Sequence, residues 1–100
     1  MTSLSRLLKA MLENKASDMH ITAGTSPSFR INGSLVRTRL DLLQPSEVKE
    51  LCYSILTEKQ KAKLEVERSL DLSFGIKDLA RFRANLFYQR GALSGAFRHI

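Results

Sequence analysis

The residues from Leu79 to Ile100, LARFRANLFYQRGALSGAFRHI, hold four arginines and neither a lysine nor an acid. Protein surfaces ordinarily intersperse both signs of charge, so a stretch of one sign points to an anionic partner. Arginine suits phosphate in particular, because its planar guanidinium offers a rigid fork of N–H donors that matches two phosphate oxygens at once. Arg81, Arg83 and Arg98 are the candidate phosphate-binding residues. Their value depends on whether the chain folds them onto one surface.

The alternation of residue types predicts that it does. Strands over Ala80–Phe87 and Ala92–His99, joined through Tyr88–Gly91 with Gln89 and Arg90 at the tip, set Phe82 opposite Phe97 and Leu86 opposite Leu93. The other face then carries Arg81 opposite Arg98 and Arg83 opposite Ala96, with Asn85 beside them. A one-residue slip would drive the arginines among the phenylalanines, so the faces are well specified. Like charges facing each other across strands destabilise a sheet. Relief is expected from solvent, from Asp71 or Asp18 on neighbouring strands, or from a bound anion. Gly91, Ala92, Ser94, Gly95 and Ala96 keep the second strand thin, which would let a ligand approach closely.

Other chemistries fare worse. The run Gly91–Gly95 lacks the lysine and the following helix of a phosphate loop, and GxxxxGK[ST] occurs nowhere in the chain. Asp18 and His20 stand two apart on a predicted strand and are expected to form a hydrogen-bonded structural pair. They do not make a nucleophilic triad, and two ligands do not make a zinc site. No catalytic residue and no metal ligand is therefore expected in these residues. Cys52 is the sole cysteine, so no disulfide framework exists, and Leu51 and Ile55 beside it predict a buried helical thiol.

The elements that must hold the arginines are readable in outline. Leu4, Leu7, Leu8, Met11 and Leu12 recur at helical spacing, whereas Met19 and Ile21 alternate with polar residues as a strand. Phe29–Ile31 and Leu35–Arg37 flank Asn32-Gly33, a hairpin signal because both residues tolerate positive φ. Val48, Leu51, Cys52, Ile55 and Leu56 predict a second helix, with Pro45 in its first turn. Thr57 and Gln60 form a capping box that starts a third at Glu58, running to about Val66. Leu70, Leu72 and Phe74 give a further strand ending at Gly75. One hundred residues with 43% hydrophobic and 26% charged content suit one folded domain. The order of elements predicts an α+β fold on a largely antiparallel sheet. The net charge of +6 admits nucleotide, nucleic acid or an anionic membrane surface without choosing among them. No apolar run approaches the roughly 18 residues of a membrane span, and the N-terminus lacks a signal-peptide core, so a cytoplasmic domain is expected.

Five segments occur together in order: ASDMHI at Ala16–Ile21, FRING at Phe29–Gly33, DLSF at Asp71–Phe74, ARFRAN at Ala80–Asn85 and FRHI at Phe97–Ile100. Over essentially the whole chain they resemble the N-terminal domain of the type IV pilus retraction (twitching-motility) ATPases, within the type II/type IV secretion ATPase superfamily. The resemblance implies a PAS-like domain that precedes a RecA-like motor domain, in a parent that binds ATP and Mg between the two. It implies a homo-hexamer working in the cytoplasm against the pilus platform at the inner-membrane base. It also implies that N-terminal-domain arginines approach the triphosphate: Arg83 and Arg98 by motif, with Arg81 a further candidate. The phosphate loop, the Mg-binding carboxylates and the catalytic glutamate would belong to the motor domain. These 100 residues alone are accordingly expected to be inactive and to need no cofactor.

Two alternatives remain open on the residues. A pilus-extension or type II secretion ATPase shares the superfamily, but such proteins usually carry further N-terminal domains before the segment that ASDMHI represents. A basic nucleic-acid module is the other class, with Phe87 and Tyr88 as stacking residues among the arginines. Phe82 and Phe97 are assigned to the core face, so no specific nucleic-acid partner is expected.

Overall fold

The structure is a computed structural model that describes residues 3–100. The chain runs α1 (Leu4–Glu13), β1 (Asp18–Thr22), β2 (Ser28–Ile31), β3 (Ser34–Arg37), α2 (Pro45–Tyr53), α3 (Glu58–Glu67), β4 (Ser69–Ile76), β5 (Ala80–Gln89) and β6 (Ala92–His99). The six strands make one sheet in the order β3-β2-β1-β6-β5-β4, with every neighbouring pair antiparallel. The fold is the expected α+β, and the sheet is antiparallel throughout.

Side-chain alternation decides which face of this sheet is buried. Met19, Ile21, Phe29, Leu70, Phe82, Ala84, Leu86, Leu93 and Phe97 point to one side and are buried there. Against them lie Leu4, Leu7, Leu8 and Met11 of α1, Val48, Leu51 and Cys52 of α2, and Leu64 of α3. Each helix begins where its sequence supplies partners for free backbone amides. The Ser3 hydroxyl accepts from the Arg6 amide at 3.2 Å, and the Thr57 hydroxyl accepts from the Gln60 amide at 3.1 Å. The Gln60 side-chain Oε1 accepts in turn from the Thr57 amide at 3.0 Å, completing the predicted capping box.

The second helix is shorter than its apolar spacing suggests. It stops at Tyr53, and the Ser54 hydroxyl donates back to the Leu51 carbonyl at 2.6 Å. Leu56 still reaches the core from the connecting turn, because the extended backbone of Thr57 must be in place for α3 to start. Helix α3 itself runs one residue past the expected Val66 and closes on Arg68, which takes a left-handed φ of 65°.

Two tight hairpins fix the register. Asn32 and Gly33 have φ of 50° and 82°, and Arg90 and Gly91 have φ of 54° and 79°. Both are two-residue loops with two left-handed residues, whose twist matches the strands they join. In the second hairpin the tip is therefore Arg90-Gly91, not Gln89-Arg90. Phe82 pairs with His99, Arg83 with Arg98, Ala84 with Phe97 and Leu86 with Gly95, rather than the expected Phe82–Phe97, Arg81–Arg98 and Leu86–Leu93. The correction slides the pairing by two residues. Since side chains alternate with a period of two, every residue keeps its face.

Gly95 also differs from expectation. It lies on the helix side, where a Cβ would sit 2.8 Å from the Phe97 ring, 3.1 Å from Leu86 and 3.2 Å from the Cys52 sulfur. Its missing side chain admits α2 to the sheet and gives a ligand no access. Cys52 is buried as predicted, and burial pushes its thiol up to about 12, so it is held as the neutral, unreactive form.

Candidate phosphate-binding site

With all three helices on one side, the other side of the sheet is bare. Strand register lays charged residues across it in a row: Arg30 on β2, Asp18 on β1, Arg98 on β6 and Arg83 on β5. Asp71 on β4 stands diagonally beyond Arg83, opposite Asn85. Directly paired residues on adjacent antiparallel strands have Cα atoms only about 4.5–5.5 Å apart, so Arg98 and Arg83 begin from the same spot. Left alone, the two cations would repel.

Each is instead drawn outward by a carboxylate. Arg83 donates from Nε to Asp71 Oδ1 at 3.2 Å and from Nη2 to Asp71 Oδ2 at 2.7 Å. Arg98 donates from Nε to Asp18 Oδ1 at 3.1 Å, while the Ser17 hydroxyl donates to Asp18 Oδ2 at 2.7 Å. Across the strands the order is Asp18, Arg98, Arg83, Asp71, with cations inside and acids outside. Between them lies an open depression of about 270 Å³ floored by Ala96, Phe97 and Asn85. Both guanidiniums are exposed above it, and both keep N–H donors that no described residue uses. The arrangement can receive a phosphoryl group between two adjacent strands.

The three arginines of the sequence prediction are thus on one face but do not act as one set. Arg83 and Arg98 are brought together. Arg81 pairs with the chain end, its carbonyl accepting from the Ile100 amide at 3.0 Å, and its Nη1 lies beside Gly75, 3.1 Å from where a Cβ would be. It falls outside the depression, and among the described residues no carboxylate is within ion-pair reach of it. Arg90, the fourth arginine, is at the hairpin tip.

The expected Asp18–His20 hydrogen bond is not formed. Both oxygens of Asp18 are committed to Ser17 and Arg98, and neither reaches His20. Sequence reasoning missed Arg30 as a row neighbour of Asp18, although its alternation with Phe29 and Ile31 carried the signal. No group of three or more metal-ligating side chains is assembled among the described residues. No helix described is long and apolar enough to cross a membrane.

Both carboxylates titrate low. Burial raises Asp18, but its hydrogen bonds from Ser17 and Arg98 outweigh that and leave it below the ordinary 3.8. At Asp71 the Arg83 hydrogen bonds lower it outright. A group with a depressed folded-state pKa stabilises the fold above its unfolded value and loses that contribution as pH falls through its folded value. Acidification from about pH 5 towards pH 2 should therefore lower the melting temperature. The fall should become shallower in Asp18→Asn, which removes one of the two titrating groups, and an equally steep decline in that variant would refute the assignment of Asp18.

Of the two stacking candidates, Phe87 lies half-buried on the arginine face, paired with Ser69 and Ser94, and Tyr88 is engaged on the helix side. The Tyr88 ring lies 3.9 Å beneath the Arg68 guanidinium, and its hydroxyl is 3.2 Å from that of Tyr53. Phe82 and Phe97 are fully buried on the helix side.

The chain that carries this bare, arginine-bearing sheet face matches type IV pilus ATPases in sequence and a pilus retraction motor in fold. It is 35% identical over 97 residues to the type IV pilus retraction ATPase PilT of Pseudomonas aeruginosa, and 30% identical over 95 residues to the type IV pilus ATPase PilU of the same organism. The alignments take in 97% and 95% of this chain but only 28% and 25% of those proteins. A twitching motility protein of Neisseria gonorrhoeae is 28% identical over 97 residues. The crystal structure of the pilus retraction motor PilT with bound ADP superposes on the whole chain with a TM-score of 0.93 at 39% identity, covering 29% of that motor. The ATPase DotB of Legionella pneumophila shares the fold, with a TM-score of 0.82 at 21% identity. No family model matches the chain. The chain therefore corresponds to the N-terminal domain of a PilT-like ATPase and spans about a quarter of the length of the relatives it matches.

Proposed function

We propose that this chain is the phosphate-contacting domain of a hexameric ATPase that powers type IV pilus retraction. In the full-length protein a RecA-like motor domain carries the phosphate loop and binds ATP with Mg, and the bare sheet face closes over the nucleotide. The observation that carries this reading is the opposed pair Arg83 and Arg98, each retaining free N–H donors above an open depression. Phosphoryl transfer spreads negative charge over the transferred group, and positioned guanidiniums stabilise that charge without taking part in bond making. Arg83 and Arg98 would hold the phosphates from the side opposite the motor domain. Arg81, lying over Gly75, is placed to meet a neighbouring surface or the rim of the same nucleotide. The neighbouring subunits of the ring, the motor domain and the pilus platform at the inner membrane are the partners this reading requires, in the cytoplasm.

The reading separates retraction from extension by a motility test. A strain lacking its retraction ATPase should regain twitching when it receives the full-length protein, and should not when it receives the Arg83→Ala form at equal abundance. Restored piliation without restored twitching would assign the parent to extension instead. Full twitching with Arg83→Ala would remove the arginine from the mechanism.

A further inference from the structure

The same row of charges carries a consequence for which anions can bind, and it rests on the phosphate reading above. Arg83 and Arg98 are directly opposed across β5 and β6, a placement that costs stability unless a counter-charge is supplied. In the structure Asp71 and Asp18 supply it, one for each arginine. The lining of the depression is then two cations and two anions, neutral overall. A neutral depression gives a singly charged ion little reason to enter. A phosphate chain brings several negative charges to the pair and can displace or outweigh the two carboxylates.

We infer that Asp18 and Asp71 are exchangeable counter-charges of the Arg83–Arg98 pair, which hold it while no anion is bound and compete for it with an entering polyphosphate. The alternative is that the carboxylates merely position the arginines, as partners that improve phosphate binding. The two differ in sign. A positioning carboxylate strengthens anion binding, whereas a competing one weakens it. The exposure of both guanidiniums and of Asp71 favours competition, since an exposed ion pair confines its side chains only weakly. The repulsion between a carboxylate and a multiply charged phosphate grows with every charge on the phosphate.

The experiment uses the 100-residue chain, whose core is closed within itself. Sodium triphosphate and, separately, inorganic phosphate are titrated at matched ionic strength, with the backbone amides of Asn85 and Ala96 followed by NMR. The wild type should bind triphosphate in preference to phosphate. Asp18→Asn/Asp71→Asn should bind triphosphate about three- to tenfold more tightly, as expected for removing repulsion across a few ångströms in salt. Phosphate should gain less, because its smaller charge feels less of the repulsion that is removed. The same variant should melt lower than wild type in chloride and recover more of the loss on adding triphosphate. Arg83→Ala/Arg98→Ala should abolish the response. Equal or weaker triphosphate binding by the asparagine variant, with an arginine-dependent response in the wild type, would overturn the exchange and leave the phosphate reading standing. Absence of any response in both proteins would overturn the phosphate reading with it. Should the double variant fail to fold, Asp71→Asn decides alone, because Asp71 is about half exposed and lies on the face away from the core.

Discussion

Replacing Arg83 and Arg98 together by alanine in the full-length ATPase is expected to lower ATP turnover by at least about a hundredfold, the scale seen when charge-stabilising donors are removed from acyl- and phosphoryl-transfer sites. The expectation follows from what remains after the change. The motor domain would keep its phosphate loop and metal, so nucleotide would still bind and KM should move less than kcat. On the proposed function, what would be lost is positive charge facing the transferred group from the opposite side. The substitution should leave the domain folded, because both arginines are exposed and surface ion pairs of this kind contribute roughly 0–1 kcal/mol. Arg83→Lys discriminates further. Lysine preserves the charge but not the fork, and it should recover only part of the activity if two-point contact matters. Arg81→Ala should have a smaller effect than either, since Arg81 lies outside the depression. Steady-state hydrolysis by the purified full-length protein measures all of these. Turnover within about twofold of wild type in the double variant would place the phosphates elsewhere, since a twofold change is well under 1 kcal/mol of transition-state stabilisation.

The face on which the arginines lie was legible because Phe82, Ala84 and Leu86 alternate with Arg81, Arg83 and Asn85, and only one of these sets can be buried. The partner of each arginine was not. A two-residue slide preserves every face, so alternation cannot detect it, and only turn stereochemistry distinguishes Arg90-Gly91 from Gln89-Arg90 as the tip. The Asn32-Gly33 hairpin needed no such choice, because its two left-handed residues are the two that best tolerate that backbone. Asp71 and Asp18 could be named as possible counter-charges, but not assigned. Asp18 and Arg98 are 80 residues apart in the chain, and they meet because β1 is inserted beside β6, a strand order that no local pattern encodes. The second helix illustrates the opposite error. Ile55 and Leu56 continue its apolar spacing, yet the N-cap at Thr57 requires extended backbone just where the helix would have continued. Capping outranks periodicity there, and both signals were present in the sequence.

Core and site are joined most tightly at Phe82, which lies between Arg81 and Arg83 and is entirely buried. Its ring stacks on Phe74 with centroids 5.7 Å apart and lies 5.8 Å from the imidazole of His99, its cross-strand partner. Phe74 in turn meets Phe97 edge-on at 6.2 Å, so three phenylalanines tie β4, β5 and β6 together directly behind the arginine row. Phe82→Ala should cost about 3–5 kcal/mol, the range for truncating a buried aromatic side chain. Small domains are stable by only about 5–15 kcal/mol in all. The variant should therefore lose much of its stability, with a melting temperature lower by roughly 12–40 °C at about 4–8 °C per kcal/mol. Phe82→Leu, which keeps most of the volume, should fall well short of that. The cavity opened by alanine adjoins the segment that sets Arg83 opposite Arg98, so triphosphate binding by the surviving folded fraction should weaken as well. A loss below about 1 kcal/mol on chemical denaturation would mean that β4, β5 and β6 are held in register without this aromatic cluster, since the removal of a packed core ring cannot be that cheap.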